Sequence, residues 1–397
     1  MLEIKGDFPI FSDNKLCYLD SASSAQKPKC VIEEINNSYA HAYANIHRGV
    51  YPLSIEATER FEHTRNVVQH FINAASTKEI VFTKGATEAI NLVAYSWGMT
   101  NVKPNDSVVV SILEHHSNFV PWQRLCEKQN AAFVCVKLES DHTLSAESVA
   151  RAITKKTKLL AITYLSNGLG IKTPIKDIIK IAHDAGSLVL VDAAQAVAHC
   201  PIDVQDLDCD FLVFSAHKIY GPAGVGALYA KEALLEAMPP FLSGGDMIRS
   251  VSETCTTLND LPHKFEAGTP DMIGVAAFAK ALQYVNDLGW QNIVVTEQLL
   301  VKRLEEVLLR KDKIKVLGPI GQHHGLVSFV AKNIHHHDLA QLLSKYGVCV
   351  RAGHHCAQPL INYLGYEGSI RASVGAYNTV EDIDRFQEAL EKALSFF

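Results

Sequence analysis

The stretch "DFLVFSAHKIYGPAGVGALYA", residues 210–230, contains two apolar runs separated by a glycine-rich loop. Near-continuous runs of Val, Leu, Ile, Phe and Ala are typical of strands that are covered on both faces, as in a parallel sheet. Between about residues 78 and 230, seven such runs alternate with helical patterns: "EIVFT", "SVVVSIL", "AAFVCVKL", "KLLAITYLS", "SLVLVDAA", "DFLVFSA" and "VGALYA". This alternation predicts an α/β fold with a mostly parallel seven-stranded sheet and crossover helices.

The chain changes character after about residue 275, where longer helical patterns surround a few short strands. This mixture predicts a smaller α+β domain. We expect a large domain over residues 20–280, and a small domain formed by residues 1–19 packed with residues 281–397. Residues 242–270 carry polar and turn residues without clear periodicity, which predicts a long excursion from the large domain, containing a hairpin.

The composition is that of an ordinary globular chain: the 397 residues are 48% hydrophobic and 20% charged, with a formal net charge of -6. No dense Lys/Arg block is present, so nothing indicates nucleic acid or an anionic membrane as a partner. The first residues do not resemble a signal peptide, and no run of about 18 apolar residues occurs. The nine cysteines include no CxxC pair, which favours reduced thiols. We therefore expect a cytoplasmic protein without disulfides.

Functional groups of a doubly wound sheet gather at the carboxyl ends of its strands, so the residues that close each apolar run are candidates. After "EIVFT", a glycine-containing turn leads into a helix whose first turn holds Thr87, a natural seat for a phosphate. An ordinary turn and N-cap would explain the same residues. After "SLVLV", a buried Asp192 would need a cation or several donors. A protonated pyridine nitrogen is one candidate, and capping of the next helix is the alternative.

Two further strand ends carry groups with possible chemistry. Ser215, His217 and Lys218 close one strand, where a desolvated lysine can lose its proton and form a Schiff base, although most lysines are simply exposed. In the stretch "SILEHHSNFVPW", His115 and His116 follow a second strand, where an imidazole can stack on a flat ring or move a proton. Metal binding is the rival explanation for histidine pairs. Adjacent residues of a strand point to opposite faces and the His/Cys spacing is irregular, so we expect no metal site.

A phosphate seat, a carboxylate for a ring nitrogen, a stacking histidine and a Schiff-base lysine together meet the needs of pyridoxal 5'-phosphate (PLP). Over essentially its full length, the sequence resembles the class V aminotransferase-like, fold-type I PLP enzymes, and specifically the SufS/CsdA-type (group II) cysteine desulfurases. The resemblance is carried, in the family's order, by "YLDSASSAQKP" (18–28), "HRGVYPLS" (47–54), "KGATEAINLVA" (84–94), "LEHHSNFVPWQ" (113–123), "SNGLG" (166–170), "VDAAQ" (191–195), "SAHKIYGPAGVG" (215–226), "FEAGTP" (265–270), "RAGHHCAQP" (351–359) and "IRASVGAYNT" (370–379).

The resemblance implies a role for each matching residue. Lys218 would bind the cofactor covalently, Asp192 would pair with its ring nitrogen, and His116 would stack on the ring and act as acid or base. The remaining cofactor contacts would come from Ala86, Thr87, Asn167, Gln195, Ser215, His217 and, from the second subunit of a homodimer, Thr269. The substrate would be bound by Asn167, Arg351 and Arg371.

Cys356 follows "AGHH" in a polar turn, where a buried apolar filler is not typical. In the family that the sequence resembles, this cysteine is the nucleophile that takes sulfur from L-cysteine, and we expect Arg351, His354 and His355 to favour its thiolate form. The short segment before Pro359 resembles group II. By that resemblance, a SufE-, CsdE- or SufU-like acceptor protein would receive the persulfide, for iron–sulfur cluster assembly.

The sequence departs from the family pattern at several positions. "KGAT" stands in place of Arg-Gly-Thr-Thr, which leaves one phosphate contact to the Ala86 backbone. Ser23 replaces an alanine and Gly168 replaces a bulkier apolar residue, two changes that can shift substrate fit. Four alternatives stay open: a selenocysteine lyase, which need not use the cysteine; another PLP reaction such as β-lysis or transamination; a catalytically silent subunit that only binds sulfur-transfer partners; and a zinc protein.

Overall fold

The larger sheet of the protein has seven strands, as the apolar runs predict. The computed structural model describes residues 2–13 and 16–397. In spatial order, these strands are Ile80–Thr83, Gly226–Ala230, Phe211–Ser215, Leu188–Asp192, Thr157–Thr163, Ser107–Ser111 and Ala132–Val136. The last five are mutually parallel, and Gly226–Ala230 runs antiparallel to both of its neighbours. The predicted α/β fold with a mostly parallel seven-stranded sheet is confirmed.

Both faces of this sheet are buried, which explains why its strands are apolar without interruption. Successive side chains of a strand point to opposite faces. In the strand Leu188–Asp192, Val189 and Val191 belong to one core cluster, and Leu190 belongs to the other. The same alternation places Val109 in the first cluster while its two neighbours lie in the second. Each face needs an apolar residue at every other position. Because the two faces use alternate positions, the sequence of the whole strand is one continuous apolar run.

The helices cover the two faces of the large sheet and one side of a smaller one. They span Lys29–His41, Pro52–Phe71, Ala86–Val93, Met99–Asn101, Val120–Gln129, Ala146–Ala152, Ile175–Asp184, Ala196–His199, Val204–Leu207, Glu232–Ala237, Met272–Leu288, Trp290–Leu309, His336–Lys345, Gln358–Tyr363 and Val380–Leu394, with a π-helical turn at Ala94–Gly98. The long helical patterns expected after about residue 275 correspond to the two helices that meet at Gly289 and to the last helix. Gly289 has a φ of 78°, which a glycine adopts without strain.

A second, antiparallel sheet lies in the C-terminal part. Its strands are, in spatial order, Ile314–Leu317, Leu326–Ala331, Ser369–Ser373 and Arg351–Gly353. The short strand Cys17–Tyr18 pairs in parallel with Val348–Cys349. A separate core cluster contains Cys17 and Leu19 together with apolar side chains from the C-terminal helices and strands. The end of the N-terminal segment thus packs with the C-terminal part, whereas Phe8 and Phe11 belong to the core cluster of the large sheet.

The division into domains over 20–280, and over 1–19 with 281–397, stays a prediction. The separate core cluster supports it. Residue 280 lies inside the helix Met272–Leu288, so we propose that the division falls at an end of that helix. Three residues of the predicted N-terminal segment, at positions 1, 14 and 15, lie outside the described residues.

The segment 242–270 contains the expected hairpin, formed by Ile248–Val251 and Thr256–Leu258. Most side chains of both strands are exposed. In the described part of the chain, no helix combines the length and apolar character needed to cross a membrane.

Candidate active site

A cavity of about 230 Å³ opens at the carboxyl ends of the parallel strands. The strands that end in Thr163 and Asp192 pair so that these two residues are side by side, and Ser215 ends the next strand. The cavity brings together nine residues that the sequence predicts as site residues: Ala86, Thr87, Asn167, Asp192, Gln195, Ser215, His217, Lys218 and Arg351. The strand-end argument therefore located the cavity, because parallel strands deliver their last residues to one edge.

Lys218 follows the strand Phe211–Ser215 in a short 3-10 turn, and its Nζ donates a hydrogen bond to the carbonyl oxygen of Ala22. Burial, as the largest cause, and the nearby Arg371 guanidinium together lower the pKa of this amine from 10.5 to about 7. Desolvation and a neighbouring cation both disfavour the charged ammonium form. A large share of the Lys218 amine is consequently neutral, and nucleophilic, near neutral pH.

Asp192 is 3% exposed, and one carboxylate oxygen accepts a hydrogen bond from the Ala194 amide at 2.9 Å. Burial raises the pKa of this carboxyl to about 6, and the charge of Lys218 acts in the opposite direction. A buried carboxylate that faces a cavity is stabilised by any cation placed in that cavity. Asp192 is therefore suited to hold a protonated ring nitrogen.

The turn before the helix Ala86–Val93 approaches the end of the neighbouring strand closely. Gly85 has a φ of 151°, and a Cβ at this position would lie 3.2 Å from Ser215 Oγ. The Ala86 amide donates to Ser215 Oγ at 2.8 Å, and Thr87 sits in the first turn of the helix. Burial lowers the pKa of His217 to about 4, so its imidazole is neutral near pH 7. Hydroxyls and an amide at a helix N-terminus form a binding site for a phosphate.

Gln195 and Asn167 lie on the walls of the cavity. Gln195 Nε2 donates to the Ala22 carbonyl at 2.8 Å, the same oxygen that accepts from Lys218. Asn167 Nδ2 donates to the His355 carbonyl at 2.6 Å, and thereby ties the cavity wall to the loop that carries Cys356. Both side chains are held by backbone carbonyls of distant segments, so their orientation is fixed by the tertiary fold.

A group of polar side chains links this cavity to the C-terminal sheet. Arg371, on the strand Ser369–Ser373, is 1% exposed and donates to the Asn167 carbonyl at 2.9 Å and to Ser23 Oγ at 2.9 Å. Its other close partner is Asp20, at 3.3 Å. Arg351 lines the cavity and donates to Ser23 Oγ at 2.6 Å. Two guanidinium groups near a neutral amine can bind the carboxylate of an amino acid.

Cys356 lies in a tight turn next to this pair of arginines. Both His355 and Cys356 adopt a positive φ, of 53° and 56°, which is uncommon for residues other than glycine. The Cys356 thiol is partly buried, and its Sγ lies 3.9 Å from Arg351 Nη2. Because Arg351 also lines the cavity, the thiol stands near the cavity and beside a fixed positive charge.

Comparisons with known proteins show the family of the chain. Residues 17–386 match the model of the aminotransferase class-V family. The chain belongs to this family. It is 46% identical over 395 residues to a cysteine desulfurase of Salmonella agona (strain SL483), covering 98% of this chain and 97% of the relative. The crystal structure of the cysteine desulfurase CsdA from Escherichia coli, at 37% identity, superposes with a TM-score of 0.93 and coverage of 99% and 98%. The apo cysteine desulfurase of Thermococcus onnurineus NA1, at 36% identity, has a TM-score of 0.95 and the same coverage.

Of the two adjacent histidines in this family member, His115 lines the cavity, and His116 does not. His115 Nδ1 accepts from the Ser117 amide at 3.1 Å, and burial lowers the pKa of the ring to about 3. His116 turns outward, where its Nε2 accepts from the Gln358 amide at 3.0 Å. The prediction that places His116 on the cofactor is therefore corrected to His115. Consecutive side chains in this turn diverge, and the sequence alone does not say which one faces inward.

His355 also differs from the expectation that it favours the thiolate of Cys356. Its side chain is 3% exposed, and Nε2 lies 2.9 Å from Ser369 Oγ. Burial lowers the pKa of this imidazole well below its usual range, so it carries no positive charge near neutral pH. The contribution expected from His355 is corrected accordingly, and Arg351 is the cation in contact with the thiol.

Thr269 lies apart from the cavity of its own chain. It lines a separate cavity of about 400 Å³ together with Lys84 and Glu88, on the other side of the turn that holds Ala86. Its predicted role in a second subunit is compatible with this position and stays a prediction.

One cluster of potential metal ligands stands outside the site. His47, Glu62 and His263 place one ligand-type atom each within 4.8 Å of one another. His47 bonds to Glu62 through Nε2 and to Asp246 through Nδ1, at 3.1 Å each, and the bond to Glu62 raises its pKa. Both ring nitrogens of His47 thus already contact carboxylates. The contacts indicate an ion-pair network, and the expectation of no metal site stays a prediction.

Proposed function

We propose that this protein is a PLP-dependent cysteine desulfurase, a sulfurtransferase that converts L-cysteine to L-alanine and retains the sulfur as a persulfide on Cys356. The observation that carries the proposal is the placement of Arg351, which lines the cavity of Lys218 and Asp192 and contacts the Cys356 thiol. The Arg351 guanidinium therefore lies between the cavity that holds the Lys218 amine and the Cys356 thiol. The full-length similarity to cysteine desulfurases supports the same activity.

The residues of the cavity fit PLP. Lys218 offers a partly neutral amine for the aldehyde carbon, and Asp192 offers a buried carboxylate for the ring nitrogen. The phosphate would be held by Thr87, the Ser215 hydroxyl and the amides at the start of the helix. We assign the stacking position over the ring to His115.

When it is bound, PLP supplies an electron sink that stabilises a negative charge at the substrate Cα. The chain supplies the remaining functions. Arg371 and Arg351 bind the carboxylate of the amino acid, with Asn167 beside them. Lys218 Nζ accepts the proton from Cα, since it is partly neutral near pH 7, and it can return a proton when alanine forms. His115, neutral at that pH, is the second proton carrier.

Cys356 Sγ takes the sulfur. Its thiolate attacks the substrate thiol sulfur, an S–S bond forms, and the substrate Cβ–S bond breaks. The electron pair of that bond goes to the carbon, which gains a proton and becomes the methyl group of alanine. Cysteine plus enzyme thiol therefore gives alanine plus enzyme persulfide, and no external oxidant is needed.

The alternatives are less well supported. A selenocysteine lyase need not use the cysteine, and neither β-lysis nor transamination needs the loop that carries Cys356. A silent subunit would not need a buried lysine with a lowered pKa beside a buried carboxylate with a raised pKa. The similarity to cysteine desulfurases over nearly the whole chain supports desulfuration over each of these.

The partners are inferred from the family. We propose a homodimer in which Thr269 completes the phosphate site of the other subunit. A SufE-, CsdE- or SufU-like protein would receive the persulfide sulfur for iron–sulfur cluster assembly. The turn that carries Cys356 is short and tied down through Asn167, so the acceptor has to bring its own cysteine to the site. The cytoplasm is the proposed location.

The proposal is tested by incubating the purified holoprotein with L-cysteine and no reductant. Peptide mass spectrometry should find one added sulfur, about 32 Da, on Cys356, with alanine formed in equal amount. The variant Cys356→Ser should form no persulfide, and the same protein with L-selenocysteine separates the lyase alternative. Absorbance at about 420 nm with neither product would mean that PLP is bound but the reaction is a different one.

A further inference from the structure

The hydroxyl of Ser23 stands at the centre of the polar group between the cavity and Cys356. Its Oγ accepts from Arg351 Nη1 at 2.6 Å and from Arg371 Nη2 at 2.9 Å, and it donates to Asp20 Oδ1 at 2.7 Å. A serine hydroxyl has one donor and two acceptor positions. All three are used here, so the orientation of this hydroxyl is fully determined.

The two arginines depend on Ser23 to different degrees. Arg371 has further acceptors in the Asn167 carbonyl and in Asp20. Among the described residues, the Arg351 guanidinium has two polar contacts, with Ser23 Oγ at 2.6 Å and with Cys356 Sγ at 3.9 Å. The short bond to Ser23 is therefore the main constraint on where this guanidinium lies.

The Asp20 carboxylate strengthens the hydrogen bond between the Ser23 hydroxyl and Arg351. Because Ser23 donates to the Asp20 carboxylate, the negative end of its dipole points at both guanidinium groups. Hydrogen bonds with a charged partner are about twice as strong as neutral ones. An alanine at position 23, the residue expected from the family pattern, would remove this link and leave Arg351 Nη1 without its close acceptor.

We propose that Ser23 is a positioning residue that holds the Arg351 guanidinium between the substrate carboxylate site and the Cys356 thiol. This inference rests on the proposed function, since it concerns the arginine that joins the two parts of that site. In this chain, one hydroxyl couples amino-acid binding to the environment of the sulfur-accepting cysteine.

The test compares the holoproteins of wild type, Ser23→Ala, Ser23→Thr and Ser24→Ala. In the part of the chain that the structure describes, the Ser24 hydroxyl has one polar contact, with the His217 carbonyl at 3.4 Å, and Ser24→Ala is the matched control. The rate of alkylation of Cys356 by iodoacetamide at pH 7.5 is followed by peptide mass spectrometry, with the exposed Cys255 as internal reference. We expect Ser23→Ala to slow the alkylation of Cys356 by about threefold to tenfold, because the thiolate loses its fixed cation.

The same variants are assayed for alanine formation. Ser23→Ala should lower kcat/KM for L-cysteine about tenfold, equivalent to about 1.4 kcal/mol, within the usual effect of a hydrogen bond to a charged group. Ser23→Thr keeps the hydroxyl and should restore most of both rates. The absorbance of bound PLP at about 420 nm should be unchanged in all variants, because Ser23 is not among the residues assigned to hold the cofactor.

A double variant shows whether Ser23 acts by positioning Arg351 or by stabilising the site independently of Arg351. If Ser23 acts through Arg351, adding Ser23→Ala to Arg351→Met should not slow alkylation further. Additive effects, an unchanged or faster alkylation of Cys356 in Ser23→Ala, or loss of bound PLP in that variant would each overturn the proposal. Alkylation requires no turnover, so a wild-type protein that forms no alanine would defeat the proposed desulfurase activity and still leave the role of Ser23 measurable.

Discussion

The lowered pKa of Lys218 gives the sharpest quantitative prediction. With its ordinary pKa of 10.5, about 0.1% of the amine would be neutral at pH 7.5, whereas a pKa of about 7 makes roughly three quarters of it neutral. Since only the neutral amine attacks an aldehyde, the structure predicts capture of PLP several hundred times faster at this pH than an ordinary lysine would allow.

The assay begins with apoprotein prepared by removing PLP with hydroxylamine. PLP is added at a fixed concentration between pH 5.5 and 10, the adduct is trapped with borohydride, and labelling at Lys218 is measured by peptide mass spectrometry. The initial rate should rise with a midpoint near pH 7 and reach a plateau by about pH 8.5. Labelling at an exposed lysine, such as Lys29, is measured in the same samples as the internal reference.

Two variants should move this midpoint in opposite directions. The Arg371 guanidinium lowers the pKa of Lys218, so Arg371→Gln should raise the midpoint. The Asp192 carboxylate raises that pKa, so Asp192→Asn should lower the midpoint. A wild-type midpoint above about pH 9, or shifts of the same sign in both variants, would refute the explanation by burial and neighbouring charge.

Three further outcomes are expected. His115→Ala should reduce alanine formation at least about a hundredfold, within the usual contribution of an acid–base group, while His116→Ala should stay within about threefold because its ring faces outward; comparable losses would contradict the assignment. Gly226→Ala should lower the free energy of unfolding by about 2 to 3 kcal/mol in denaturant titrations, since the new Cβ would lie 2.5 Å from backbone that cannot move aside. Glu266→Ala should cost about 2 to 3 kcal/mol in the same assay, because both carboxylate oxygens bond to the buried Arg65, at 2.8 and 2.9 Å, and the variant leaves Arg65 with Glu62 as its carboxylate partner; a cost below about 1 kcal/mol would show that Glu62 alone is sufficient.

The fold and the position of the cavity could be predicted from the sequence because the signals are local. Six of the seven apolar runs form strands that are mostly buried on both faces, while the run at the sheet edge, Ala132–Val136, is only partly buried. The parallel arrangement brings the ends of the central strands to one edge. Lys218, Asp192 and Ser215 follow from that rule alone, since Asp192 closes one run while Ser215 and Lys218 close another. The lysine and the carboxylate favoured PLP, and the resemblance to cysteine desulfurases then implied sulfur transfer to the cysteine in the polar turn.

Only the tertiary structure decided which neighbouring side chain faces the cavity and how the two parts of the site are connected. His115 and His116 are adjacent in sequence, and the direction of each ring depends on the turn between strand and helix, which periodicity does not describe. Ser23 and Arg351 are 328 positions apart, and their contact exists because an N-terminal segment packs beside the C-terminal sheet. Local sequence determines the element and its end, whereas a hydrogen bond between distant segments depends on how the elements pack.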